Sequence, residues 1–94
     1  MFDMSIATNN NTIRASLILD RLFFEPSLYE YAFYLCRDIG YKEREVIKRV
    51  PYSKQTNVNF DSSDLVGEFY IRYFIRDTRD LTKKAFSSEK FIVN

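Results

Sequence analysis

Between residues 69 and 76 the chain alternates two kinds of side chain without a break. Phe69, Ile71, Tyr73 and Ile75 form one row, and Tyr70, Arg72, Phe74 and Arg76 form the other. A strand sends successive side chains to opposite faces, whereas a helix would smear both rows around its circumference. The segment is therefore expected to be a strand, with the Phe69 row facing a core and the Tyr70 row on the outer face of a sheet. The same period of two recurs elsewhere. Ile13, Ala15, Leu17 and Leu19 are apolar at every second position, Tyr31, Phe33 and Leu35 oppose Ala32, Tyr34 and Cys36, and Val58 and Phe60 alternate with Asn57 and Asn59.

Turn chemistry separates these runs. Asn9-Asn10-Asn11 parts a strand at residues 3–8 from one at 12–19, since Asn tolerates left-handed backbone angles. Glu25-Pro26-Ser27 breaks the chain before a strand at 29–37, and Asp38-Ile39-Gly40 reads as the turn that ends it. Charged residues 42–45 are compatible with a short helix, but the β-branched Val46, Ile47 and Val50 favour a strand. Pro51 either ends that strand or marks it as an edge. A loop at 61–64, a turn at 77–80 and a last strand at 83–93, with a bulge or bend at Ser87-Ser88, complete the pattern. Six or seven short strands with frequent turns predict an all-β antiparallel sandwich in one domain, residues 1–94. A chain this short buries only about 60–65% of its unfolded surface, so large side chains help to fill the core. The 9 Phe and 7 Tyr suit that task.

Charge and cysteine usage narrow the function classes. With 14 basic and 13 acidic residues the net charge is +1, which gives no global field to draw in nucleic acid or an anionic membrane. The lone Cys36 has no second cysteine in the sequence to pair with. The start, Met1-Phe2-Asp3-Met4-Ser5-Ile6, lacks the basic region and apolar run of a signal peptide, and no stretch nears the roughly 20 apolar residues that span a bilayer. No membrane insertion is expected, and a cytoplasmic location if this is the full chain.

Catalytic chemistry finds little to work with. Histidine is absent, which removes the commonest general base and the usual zinc ligand. Two glycines cannot build a phosphate-cradling loop. The pairs Asp61/Asp64 and Asp77/Asp80 read as turn initiators rather than paired catalytic or calcium-binding carboxylates. Cys36, in an apolar strand without a histidine, reads as an inert small hydrophobe. No enzyme activity, cofactor or metal is expected. The candidate contact surface is the outer row Tyr70, Arg72, Phe74 and Arg76, joined by Tyr34 if its strand is adjacent. Aromatics interleaved with arginines can stack on sugars or bases or anchor a protein, although cross-strand pairing alone would also explain them. Lys42, Arg44, Lys48 and Arg49 are interleaved with Glu43 and Glu45 and read as a solvated edge. Arg76, Arg79, Lys83 and Lys84 gather around the last turn, diluted by Asp77 and Asp80.

The run from Gly67 through Phe69-Tyr70-Ile71-Arg72-Tyr73-Phe74-Ile75-Arg76 to Asp77 resembles the penultimate strand of immunoglobulin-like and fibronectin-type-III-like modules. Asp64 and Gly67 stand where that pattern has an acidic residue and a glycine. Phe69 falls at the corner aromatic and Ile71 where antibody-like domains carry their second cysteine. Phe69 departs from the pattern by lacking the hydroxyl of a tyrosine corner. A looser likeness spans residues 28–94, carried by Tyr31-Ala32-Phe33-Tyr34-Leu35, by Val46-Ile47-Lys48-Arg49-Val50-Pro51-Tyr52-Ser53 and by the Phe69 strand. It is similar to small sandwich modules attached to bacterial surface-polysaccharide and sensor proteins. The resemblance implies an immunoglobulin-like sandwich of about seven strands, acting as a non-catalytic accessory or binding module whose partner is a protein domain or a glycan. A homo-oligomeric structural or interaction protein is the alternative. An oligonucleotide-binding-type barrel with Tyr70 and Phe74 as stacking platforms is disfavoured by the charge balance.

Overall fold

The computed structural model describes residues 3–19 and 25–94. Strands β1 (Asp3–Thr8) and β2 (Thr12–Ile18) form a hairpin whose turn is closed by the Asn9 N–H donating to the Thr12 carbonyl at 3.0 Å. β2 also pairs with β5 (Asn57–Asp61), giving a three-stranded sheet in the order β1-β2-β5. The second sheet holds β3 (Tyr29–Gly40), β4 (Glu43–Ser53), β6 (Gly67–Asp77) and β7 (Lys83–Ser87) in the order β4-β3-β6-β7, and β8 (Phe91–Val93) pairs β6 beyond the end of β7. Every pairing is antiparallel. Among the described residues the only helical element is a single 3-10 turn, Pro26–Leu28.

Register decides which side chains meet. Ile13 lies opposite Phe60, Ala15 opposite Val58, and Met4 and Ile6 opposite Leu17 and Ala15, so the smaller sheet turns one apolar face inward. In the larger sheet Phe33 pairs with Tyr73 and Leu35 with Ile71. Those inner faces merge into one core that also takes in Phe69, Ile75, Val93 and, at its border, Phe86. Tyr31, Phe33, Phe69 and Ile71 are fully buried. Burying the Tyr31 ring requires a partner for its hydroxyl, which donates to the Pro26 carbonyl at 2.9 Å and ties the 3-10 turn to β3. Lys48 faces inward at the sheet edge and donates to the Asp61 carbonyl at 2.6 Å, bridging the free edges of the two sheets. The all-β sandwich expected from the alternation is the architecture of the chain.

One turn shifts, and three open points in the pattern are decided. The turn expected at Asp38-Ile39-Gly40 lies beyond it, because β3 continues through Gly40 and the chain reverses at Tyr41-Lys42. Both of those residues have positive φ, 51° and 63°, the geometry that matches the right-handed twist of a two-residue hairpin. Residues 43–45 belong to β4 and not to a helix, since they pair with Gly40, Asp38 and Arg37. Pro51 lies inside β4, which is an edge strand with register shifts along its pairing with β3. The last strand is divided, as the Ser87-Ser88 signal anticipated, so the described residues hold eight strand segments where about seven were expected. At the break the Ser88 hydroxyl accepts the Ile71 N–H at 2.9 Å, and the Ser88 N–H donates to the Ile71 carbonyl at 2.8 Å. A side chain thus stands in for one rung of the ladder.

Candidate functional site

The outer face of the larger sheet is assembled from β4, β3, β6 and β7 by register alone. One cross-strand row runs Arg49, Tyr34, Arg72, Ser87. The next runs Ala32, Phe74, Ala85, and the third runs Glu30, Arg76, Lys83. Cys36 opposite Tyr70 forms a fourth, with Val46 on the β4 side. All five side chains expected at a contact surface, Tyr34, Tyr70, Arg72, Phe74 and Arg76, therefore stand on one face. Because β3 neighbours β6, Tyr34 meets the others as the adjacency argument required.

Their exposure differs. Tyr34, Arg72, Phe74 and Arg76 are half-buried, but Tyr70 is only 7% exposed. Burial raises the Tyr70 phenol above its usual range, with the nearby Asp38 carboxylate adding to the shift. Asp38 accepts Lys90 Nζ at 2.7 Å, and chiefly through that bond its carboxyl lies below the ordinary range. Tyr70 is accordingly enclosed, and the accessible part of the surface centres on the other four residues.

Around that centre, arginines cover aromatic rings. Tyr34 and Phe74 pack at 4.8 Å between centroids with planes tilted by 59°. The Arg49 guanidinium sits 5.4 Å from the Tyr34 centroid, that of Arg72 5.2 Å from Phe74, and that of Arg76 4.1 Å from Tyr52. Attraction between a cation and the electron-rich ring face favours this layering. Arg76 also forms an ion pair with Glu30 at 2.8 Å. Among the described residues no carboxylate lies within ion-pair distance of Arg49 or Arg72. The Nε atoms of Arg72 and Arg76 are buried without a hydrogen-bond partner, a cost that the packing of these side chains against the sheet must offset.

Sequence reasoning missed Arg49, Tyr52 and Glu30 as members of this face. Arg49 had a signal, membership of a basic cluster, but the interleaved glutamates made the cluster look like a solvated edge. Tyr52 gave none, because the register shift between Tyr31 and Phe33 breaks the period of two in β4.

Three of the four paired aspartates and the cysteine have local structural partners. Asp61 Oδ1 accepts the Ser63 N–H at 3.0 Å, Asp77 Oδ1 the Arg79 N–H at 2.8 Å, and Asp80 Oδ1 the Thr82 N–H at 3.0 Å. Each caps a turn two residues on. The Cys36 thiol is fully buried, its pKa is raised by that burial, and it contacts the Tyr34 carbonyl at 3.6 Å. Among the described residues no three His, Cys, Asp or Glu side chains are grouped to hold a metal ion. An open groove of about 660 Å³ runs between the free edges of β4 and β5, lined by Val50, Lys54, Thr56, Asn57 and Asn59 among others. No helix of the described residues is long and apolar enough to cross a membrane. No family model, curated protein or solved structure matches the chain.

Proposed function

We propose that this protein is a non-catalytic binding module of the immunoglobulin-like kind, which engages a glycan or a protein domain through the outer face of its larger sheet. The strand order supports the fold half of this reading. Lettered in chain order with the fourth strand as C′, the sheets read A-B-E and C′-C-F-G, the latter being the sheet that variable-type immunoglobulin domains extend with C′. The likeness over residues 28–94 supplies the biological setting, an accessory role beside a bacterial carbohydrate-related or sensor protein.

The observation that carries the binding half is the pair Arg49 and Arg72. Two guanidiniums without carboxylates, held over Tyr34 and Phe74, exceed what cross-strand stabilisation of a sheet requires. Homo-oligomerisation through this face is the weaker reading. An isologous contact would bring the arginines of one copy toward those of the next, and like charges in an interface are costly.

A glycan array probed with the wild type, Arg72→Ala and Phe74→Ala tests the proposal. Hits are expected to weaken about tenfold or more in both variants, the scale of losing a charge-assisted contact or the ring that positions its arginine. Hits that keep full strength in both variants would place the binding surface elsewhere.

A further inference from the structure

The ring faces that a sugar or a base would normally stack on are already occupied. Tyr34, Phe74 and Tyr52 each carry an arginine of the protein itself. What this surface offers to a partner is therefore the outer side of the guanidinium groups. Arg72 lies over Phe74, and Arg76 lies over Tyr52 and pairs with Glu30, so both guanidiniums are positioned by contacts within the sheet.

Charge on this face is unbalanced although the whole chain is nearly neutral. Its acids are engaged: Glu30 pairs with Arg76, while Asp38 and Glu68 both face Lys90 at 2.7 and 3.9 Å. Asp61, Asp77 and Asp80 are folded into turns. Among the described residues Arg49, Arg72 and Lys83 have no carboxylate in ion-pair range. Register also spaces these cations. Arg49 and Arg72 flank Tyr34 in one row across three strands, so their backbones are two strand spacings apart, about 10 Å. Lys83 lies opposite Arg76 on β7, and Arg76 is about 13 Å along β6 from Arg72. Cations set out at such intervals match anions repeated along a chain rather than one point anion.

We infer that the ligand of this face is an acidic polysaccharide, whose carboxylate or sulfate groups are held by Arg49, Arg72 and Lys83. The inference rests on the binding-module reading and names its ligand. Single-stranded nucleic acid fits less well, because the aromatic platforms on which successive bases stack are here covered by arginines. An acidic peptide in extended form would add to a sheet edge through its backbone, and the centre of a sheet face has no unpaired backbone to offer. A sugar chain brings both anions and hydroxyls, and the Arg49–Tyr34–Arg72 row ends on the exposed Ser87.

Calorimetric titration of the full chain at low salt with polygalacturonate, heparin, neutral dextran, poly-glutamate and a thymidine oligonucleotide is the test. Polygalacturonate or heparin is expected to bind and to weaken as salt rises. Arg49→Ala/Arg72→Ala should reduce affinity about tenfold or more, as loss of charge-assisted contacts does. Lys83→Glu, at an exposed position of the outer strand, should reduce it as well, and gives a readout if the double variant does not fold. Arg14→Ala on the other sheet should change nothing. A neutral glycan bound as tightly as the acidic ones, and lost in the arginine variant, would overturn the acidic ligand while leaving the binding module standing. Poly-glutamate or the oligonucleotide binding as tightly as the acidic glycans would overturn the inference too. Absence of binding to every probe here and on the array would overturn both.

Discussion

The Cys36 thiol belongs to the outward row of β3, yet none of it reaches solvent, and burial raises its pKa. Both facts suppress the thiolate, the reactive form. A thiol reagent such as DTNB at neutral pH is therefore expected to leave the native protein unmodified and to label it fully in denaturant; rapid labelling of the folded state would contradict the burial. On the inner side, Phe33 and Phe69 are completely enclosed. Truncating either to alanine should cost about 3–5 kcal/mol in chemical denaturation, the range for a large buried aromatic. Asp77 gives a pH-dependent contribution. Bonds from the Arg79 side chain, first, and its backbone N–H lower the Asp77 carboxyl from 3.8 to about 2. A carboxyl lowered in the folded state stabilises above its unfolded pKa, and this contribution disappears as pH falls through the folded value. The melting temperatures of wild type and Asp77→Asn should therefore differ at neutral pH and converge as pH drops from about 4 toward 2. A gap that stays constant over that window would exclude Asp77 as its source. At this scale the sequence was readable where period settled the matter: the inward row Phe69, Ile71, Tyr73 and Ile75 is buried throughout. It placed Tyr70 on the open outer face, where the structure leaves the residue only 7% exposed, because the period of two fixes the face and not what covers it.

Elements were legible in their existence and type, less so at their ends. Gly40 drew the expected turn toward itself, since glycine is the usual residue for positive φ. It does have positive φ, but the two turn residues proper are Tyr41 and Lys42. Side chains other than Gly, Asn and Asp are strained in that region. Lys42→Gly should then raise stability by roughly 0.5–1 kcal/mol, because it relieves the strain although it loosens the unfolded chain. Unchanged or lower stability in urea titration would mean that the turn is not strained at Lys42. The divided last strand was signalled by two serines, but not the use that Ser88 makes of its hydroxyl. Ser88→Ala leaves the Ile71 N–H without its acceptor and should cost about 1–3 kcal/mol, the penalty for an unsatisfied buried donor.

For the molecule as a whole, alternating rows and turn spacing implied two sheets and one shared core, and both are present. The candidate face was legible in its β3 and β6 members alone, because strand order is a long-range property. Placing β4 beside β3 brings in Arg49 and Tyr52, and no local pattern in the sequence announces that neighbour. One consequence of the strand order reaches further. β3 lies between β4 and β6, and β6 is paired along its other side by β7 and β8 in succession, so the backbone under Tyr34, Arg72, Phe74 and Arg76 is secured from both flanks. Amide hydrogens there should exchange with deuterium among the slowest in the protein. A partner arriving at such a platform would meet a shape that already exists, and little of the association energy would be spent on ordering it.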